Sequence, residues 1–181
     1  MNIKYLFIIS CVMLCFASGA YGANFKETLN LAQSGDMMAQ FKVASMYMTG
    51  VIDDGNYGAS DFKNAEYWYL KAAAQGDPSI QYKVGIFYAN QRDFKNAVKW
   101  YRVSAMQGYA DAQSELSVMY YHGESVPKDY KLYYAWLYLA ESKLPVSLFL
   151  DDAAKLLTEK ELIEAKAMAA EIQSEIDKNR Q

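Results

Sequence analysis

One histidine, His122, and two cysteines, Cys11 and Cys15, are the scarcest chemistry-bearing side chains in this chain of 181 residues. Both cysteines lie in an apolar N-terminal run, so everything after it is free of thiols. A single imidazole without cysteine cannot complete a Cys/His metal set. No Ser-His-Asp set or glycine-rich phosphate loop can be assembled either. His122 stands just before Gly123 at the mouth of a predicted hairpin, where an edge histidine is expected rather than a catalyst. The 21 Asp and Glu residues fall on charged helix faces and turns, where solvation is their ordinary role. Asp53-Asp54-Gly55-Asn56 lacks the alternating-acid register of a calcium loop and reads as a solvated turn. The side chains thus predict no catalytic residue, no cofactor and no metal, which leaves binding.

The composition suits a soluble globular protein, with 52% apolar and 22% charged residues. A net charge of −3 invites neither nucleic acid nor an anionic membrane surface. Residues 1–22 have the pattern of a secretory signal peptide: Lys4, then an apolar run to Ala17, then a small-residue exit. Ala20 and Gly22 fit a cut before Ala23; Ser18 and Ala20 fit an alternative cut before Tyr21. The run is too short for a comfortable membrane span, so no membrane insertion is expected after cleavage. The expected destination is the periplasm or beyond. There the mature chain must hold its fold by packing, without a disulfide.

The elements that would build a binding surface come from a repeat. Asp61–Asp77 reads DFKNAEYWYLKAAAQGD, and Asp93–Tyr109 reads DFKNAVKWYRVSAMQGY. A worn copy, DYKLYYAWLYLAESKL, runs from Asp129 to Leu144. Counted from Gly35, Gly76 and Gly108, the pairs Ala39-Gln40, Ile80-Gln81 and Ala112-Gln113 recur, followed by Val43, Val84 and Leu116, then Tyr47, Tyr88 and Tyr120. These intervals place one small-and-large stripe on a first helix. Ala65, Trp68, Tyr69, Ala72 and Ala73 form the stripe of a second helix, and Trp100 and Trp136 occupy the Trp68 position in later copies. Asp61 and Asp93 are expected N-caps, and Gly76 and Gly108 are expected left-handed stops. Each unit is a helix, a turn, a helix and a glycine stop. Such a unit cannot close a core alone and must stack on its copies.

The run G-D-x-x-A-Q-x-x-x-A-x-x-Y-x-x-G at Gly35–Gly50 resembles the first half of a Sel-1-like repeat. A-x-x-W-Y-x-x-A-A-x-x-G at Ala65–Gly76 resembles its second half, and Tyr120–Tyr130 resembles its hairpin turn, with Ser125 in place of the family's glycine. Ile80 and Tyr133 for alanine, and Gln91 for glycine, are further departures. The resemblance covers about Ala32 to Leu144 and implies an all-α fold, an α-solenoid of antiparallel helix pairs similar to tetratricopeptide arrays. The expected organisation is a signal peptide (1–22), a solenoid of three repeats (23–144) and C-terminal capping helices (145–181). The last part is predicted as a short helix over Val146–Leu157, with Ser147 as a candidate N-cap. A longer helix follows, opened by the capping box Thr158–Glu161.

In tetratricopeptide-like hairpins the first helix lines the concave side. Its positions not used by the core stripe lie three, six, ten and thirteen places after each glycine. There the sequence has Met38, Phe41, Ser45 and Met48; Ser79, Tyr82, Ile86 and Ala89; Asp111, Ser114, Val118 and Tyr121. Met38, Phe41, Met48, Tyr82, Ile86, Val118 and Tyr121 are the candidate partner-binding residues, since aromatic, methionine and aliphatic side chains with little charge mark the centre of a protein interface. The expected function is an exported protein-interaction module whose partner is another protein, a secreted effector or an envelope protein. The sharper form is an inhibitor or immunity protein, a role that some small exported members of the family resemble. The alternative is a cell-wall-fragment binder or a carboxylate-based hydrolase.

Overall fold

A buried glutamine closes each turn from one repeat to the next. The computed structural model describes residues 25–53, 56–142 and 149–179; the expected signal peptide and the expected Ser147 cap lie outside them. Its helices are α1 (Phe25–Gln33), α2 (Met37–Thr49), α3 (Phe62–Ala73), α4 (Pro78–Asn90), α5 (Phe94–Ala105), α6 (Ala110–His122), α7 (Tyr130–Glu141), α8 (Leu150–Ala154) and α9 (Glu159–Lys178). The pairs α2/α3, α4/α5 and α6/α7 are the three repeats of an all-α solenoid. A small antiparallel ladder, β1 (Val51–Asp53) with β2 (Asn56–Tyr57), occupies the long loop of the first pair. The chain forms two compact units, one running through Trp68 and the other starting at Tyr69.

The helix ends follow from the sequence. Asp36, Asp61, Asp77, Asp93 and Asp129 each accept backbone N–H bonds from the first turn that follows them. At Asp61 and Asp93 the second carboxylate oxygen also accepts from the Asn three residues on, at 2.7 Å. Gly35, Gly76 and Gly108 take φ of +100°, +95° and +77°. That is the left-handed conformation in which a Cβ is costly.

In the first unit α1 packs along α2, with Ala32, Ala39, Val43 and Ala44 buried between them. Gln40 Nε2 donates to the Ala32 carbonyl at 3.1 Å. In the second unit Gln81 donates to Ala73 at 3.3 Å and Gln113 to Ala105 at 3.2 Å. Each of these carbonyls also accepts from the glycine N–H three residues on. The small stripe residue Gly85 faces the Tyr101 ring so closely that a Cβ there would overlap it. Ser104 Oγ donates to the Pro78 carbonyl at 2.6 Å, tying α5 to the start of α4.

Beyond the repeats, α9 lies along α7 and closes a core of Tyr134, Leu137, Ala153 and Ala165. Lys131 reaches Glu164 at 2.8 Å on its rim. The Thr158–Glu161 capping box forms as expected. The short helix differs from its prediction: it begins at Leu150 with Phe149 at the cap position, and the Phe149 N–H goes to the Glu141 carboxylate at 3.1 Å. Departures from the repeat are absorbed locally. Ser125 still adopts the glycine conformation, at φ +58°. In the tight second turn that role passes from Gln91 to Arg92, at φ +62°.

The three tryptophans are not equivalent. Trp68 and Trp136 are buried, as their place in the stripe predicts, but Trp100 is only partly buried. The adjacent Tyr101 is buried against Gly85 and the Tyr82 ring, as its counterparts Tyr69 and Leu137 are buried in their repeats. Trp136→Ala is expected to cost about 3–5 kcal/mol, the usual range for truncating a buried tryptophan, and Trp100→Ala clearly less. Thermal melts of the two variants check this; equal losses would refute the ranking.

Candidate functional site

The first helices of the three repeats each carry a second stripe that stays out of the core. In the first unit Met38 is 58% exposed, while Phe41 and Met48 are partly buried. In the second unit Tyr82 and Ile86 are partly buried on α4, and Val118 and Tyr121 are 40% and 37% exposed on α6. All seven candidate residues are therefore at least partly accessible. Each of the other stripe positions is also outside the buried class.

Within the second unit the stripe residues fall into two aromatic clusters rather than one continuous strip. Tyr82 packs its ring 5.8 Å from Tyr101 and 5.3 Å from Tyr109. Asp111 and Glu115, in the first two turns of α6, act on this cluster, and Asp77 also acts on Tyr109. Ten residues after Asp111, roughly 15 Å along a helix, Tyr121 meets Tyr133 at 5.1 Å, Tyr130 at 5.9 Å and His122 at 4.9 Å. Lys128 Nζ lies 4.8 Å from the Tyr130 ring centroid and 5.7 Å from that of Tyr121. This second cluster thus holds a cation supplied by the chain itself. No ring contact or hydrogen bond draws Ile86 or Val118 into either cluster; they are apolar positions along the same helices.

The electrostatics of the first cluster are those of buried phenols beside carboxylates. Burial, and then Glu115 and Asp111, push the Tyr82 hydroxyl far up; burial and Glu115 do the same to Tyr101. The Glu115 carboxyl is raised above its ordinary value of 4.5, first by burial and then by Asp111. The ion pairs among the described residues are Lys131–Glu164, Lys155–Asp152 and Lys160–Glu164. None of them engages Asp111 or Glu115.

Tyr109, Glu115, Tyr130 and Tyr133 escaped the stripe argument, which counted only positions on one face of the first helix. Two of them carried a signal nonetheless. Tyr109 stands where the earlier repeats have Asp36 and Asp77, and Glu115 stands where they have Lys42 and Lys83. With Tyr109 at its N-cap position, α6 has no side-chain cap. Such a loss costs about 1 kcal/mol.

Among the described residues no group of His, Asp and Glu could hold a metal ion, and no helix is long and apolar enough to cross a membrane. A groove of about 660 Å³ opens between α7 and α9, lined by Tyr134, Tyr138, Leu139, Lys166, Ala169 and Gln173 among others. It shares no residue with the stripes.

Antiparallel helix pairs whose first helices keep one face accessible define a helical-repeat protein. The chain belongs to the Sel1 repeat family, whose pattern matches residues 38–77, 78–109 and 110–143. Sel1 repeats generally mediate protein–protein interactions, and proteins built from them are typically scaffolds without enzymatic activity. The chain is similar to the crystal structure of a Sel1 repeat protein from Oxalobacter formigenes. Identity is 28%, over 70% of this chain and 97% of that one, with a TM-score of 0.57. It also matches c5321, a protective antigen of uropathogenic Escherichia coli strains that displays an SLR fold, at 24% identity and a TM-score of 0.44. That match covers 84% of this chain but only 41% of that protein. A comparison with curated proteins finds no match.

The raised Glu115 carboxyl gives a pH test. The folded chain holds that proton more tightly than the unfolded chain, so its contribution to stability falls as pH rises from 4.5 toward the raised native value. Glu115→Gln removes this loss. Its Tm is expected to exceed the wild-type Tm at pH 7, and the gap should close below about pH 4, where the wild-type carboxyl is also neutral. Thermal melts at both pH values check it; a gap independent of pH would contradict the burial assigned to Glu115.

Proposed function

We propose that this protein is an exported interaction module that docks a protein partner on the accessible stripes of its first helices. The observation that carries the reading is the exposure pattern. Repeat after repeat, the core stripe is buried, apart from the partly buried Tyr47, while the neighbouring stripe of aromatic, methionine and aliphatic side chains is left at least partly accessible. Apolar groups held off the core in this way are what interfaces use as anchors. Met38, Phe41 and Met48 serve in the first unit, and Tyr82, Ile86, Val118 and Tyr121 in the second. The partner is a secreted effector or an envelope protein, and the module acts on it as an inhibitor or immunity protein does, by occupying a surface rather than by chemistry. The scarcity of nucleophile–base pairs in the sequence supports occlusion over catalysis.

Export rests on the n-region, h-region and small-residue exit of residues 1–22 and on the lack of thiols after them. Protein recovered from the periplasm or the medium is expected to begin at Ala23. Mass spectrometry of the intact chain reads this directly, and material that retains Cys11 and Cys15 in the cytoplasm would refute export.

Docking is tested by substitution on both units. Phe41→Ala combined with Tyr82→Ala is expected to weaken capture of the partner from envelope extract by more than about 2 kcal/mol, roughly 30-fold. The melting temperature is expected to fall, since Tyr82→Ala loses its ring contacts with Tyr101 and Tyr109, but the variant should remain folded at the temperature of the capture. Capture at full strength, or loss of folding, would show that the interface lies elsewhere or that the stripe is structural.

A further inference from the structure

The third repeat breaks the pattern of the first two at two positions, and both breaks meet at one place. Asp36 and Asp77 cap their helices, whereas Tyr109 gives up that role and lays its ring on Tyr82. Lys42 and Lys83 become Glu115, an inversion of charge at a partly buried position. Together with Asp111, these changes assemble tyrosine faces and two carboxylates in one cluster. The Tyr109 hydroxyl hydrogen-bonds to Asp111; the described residues supply no ion pair to either carboxylate, and Arg102 is engaged with the Tyr120 hydroxyl at 2.6 Å. The neighbouring Tyr121–Tyr130 cluster shows the complementary state, with Lys128 over its rings.

We propose that the Tyr82–Tyr109–Asp111–Glu115 cluster is a receptor for a guanidinium group, an arginine side chain presented by the protein partner. The inference rests on the docking reading above and names the chemistry of its central contact. A ring face attracts a cation through its quadrupole, and a carboxylate beside it sets the orientation. Arginine fits better than lysine because its planar fork can stack on a tyrosine and bond a carboxylate at the same time, and it is less strongly hydrated than an ammonium. A hard divalent ion is a poor occupant: it requires six or more oxygen ligands and makes no use of aromatic faces.

The test uses the intact protein and three small probes: N-acetyl-arginine methylamide, its lysine counterpart, and the citrulline counterpart, which is nearly isosteric with arginine but uncharged. Binding is followed by residue-resolved NMR. The arginine probe should give saturable shifts centred on Tyr82, Tyr109 and Glu115, with the lysine probe weaker and citrulline weaker than arginine by at least about fivefold. Glu115→Gln should lose a similar factor for arginine without lowering the Tm, which separates a lost contact from a lost fold. Citrulline binding as well as arginine, no saturable shift with arginine, or Glu115→Gln binding like the wild type would each overturn the proposal. Failure here can be told apart from failure of the docking reading. If Phe41→Ala with Tyr82→Ala abolishes partner capture while Glu115→Gln does not change it, the guanidinium receptor alone is wrong. If the arginine probe binds through Glu115 but the stripe variants capture the partner fully, the docking reading alone is wrong.

Discussion

The hydrogen bond from a buried glutamine to the carbonyl that ends the preceding helix is the constraint on which the repeats depend. It occurs as Gln40 to Ala32, Gln81 to Ala73 and Gln113 to Ala105. A helix end leaves carbonyls without intrahelical partners, and a buried one is costly if nothing replaces them. Here the glycine turn supplies one N–H and the next helix supplies the glutamine amide. The same residue therefore satisfies one helix while fixing the start of the next. The alanines beside it keep the approach close, and a larger side chain at those carbonyls would hold the amide out of reach.

The amide oxygens of Gln81 and Gln113 differ in what they meet. Gln81 Oε1 accepts from Gln107 Nε2 at 2.6 Å. Gln113 Oε1 is buried with no partner among the described residues; the position that matches Gln107 one repeat on is Lys143, which lies outside them. An unmade bond to a buried amide oxygen costs about 1–3 kcal/mol. In the same part of the fold α7 leaves the repeat pattern and takes α9 as its neighbour.

Polar economy of this kind also explains where function can sit. The core stripe is committed: alanine, glycine and the buried tyrosines and tryptophans leave little room for variation, as the contact between Gly85 and Tyr101 shows. The accessible stripe carries no such load, so it can change from methionine and phenylalanine in the first repeat to tyrosine and acid in the third. Within the second unit one aromatic cluster holds Lys128 and the other holds only carboxylates. Two surfaces of similar shape thereby differ in the charge they can accept.

Much of this was legible in the sequence for a physical reason. Helix caps, glycine stops and the 3.6-residue stripe act over a single turn, so a repeat spelled three times announces its helices, their order and the faces they bury. Asp61, Asp93, Thr158 and the glycines at 76 and 108 were readable because their roles are local. The accessibility of Tyr82 and Tyr121 followed from the same periodicity. Tertiary structure alone decided that Trp100 would stay partly exposed where Trp68 and Trp136 are buried, and that Phe149 would open α8 with Glu141 taking its N–H. It also decided that Tyr109 would stack on Tyr82. Those outcomes depend on distances between helices, which periodicity within one helix does not contain.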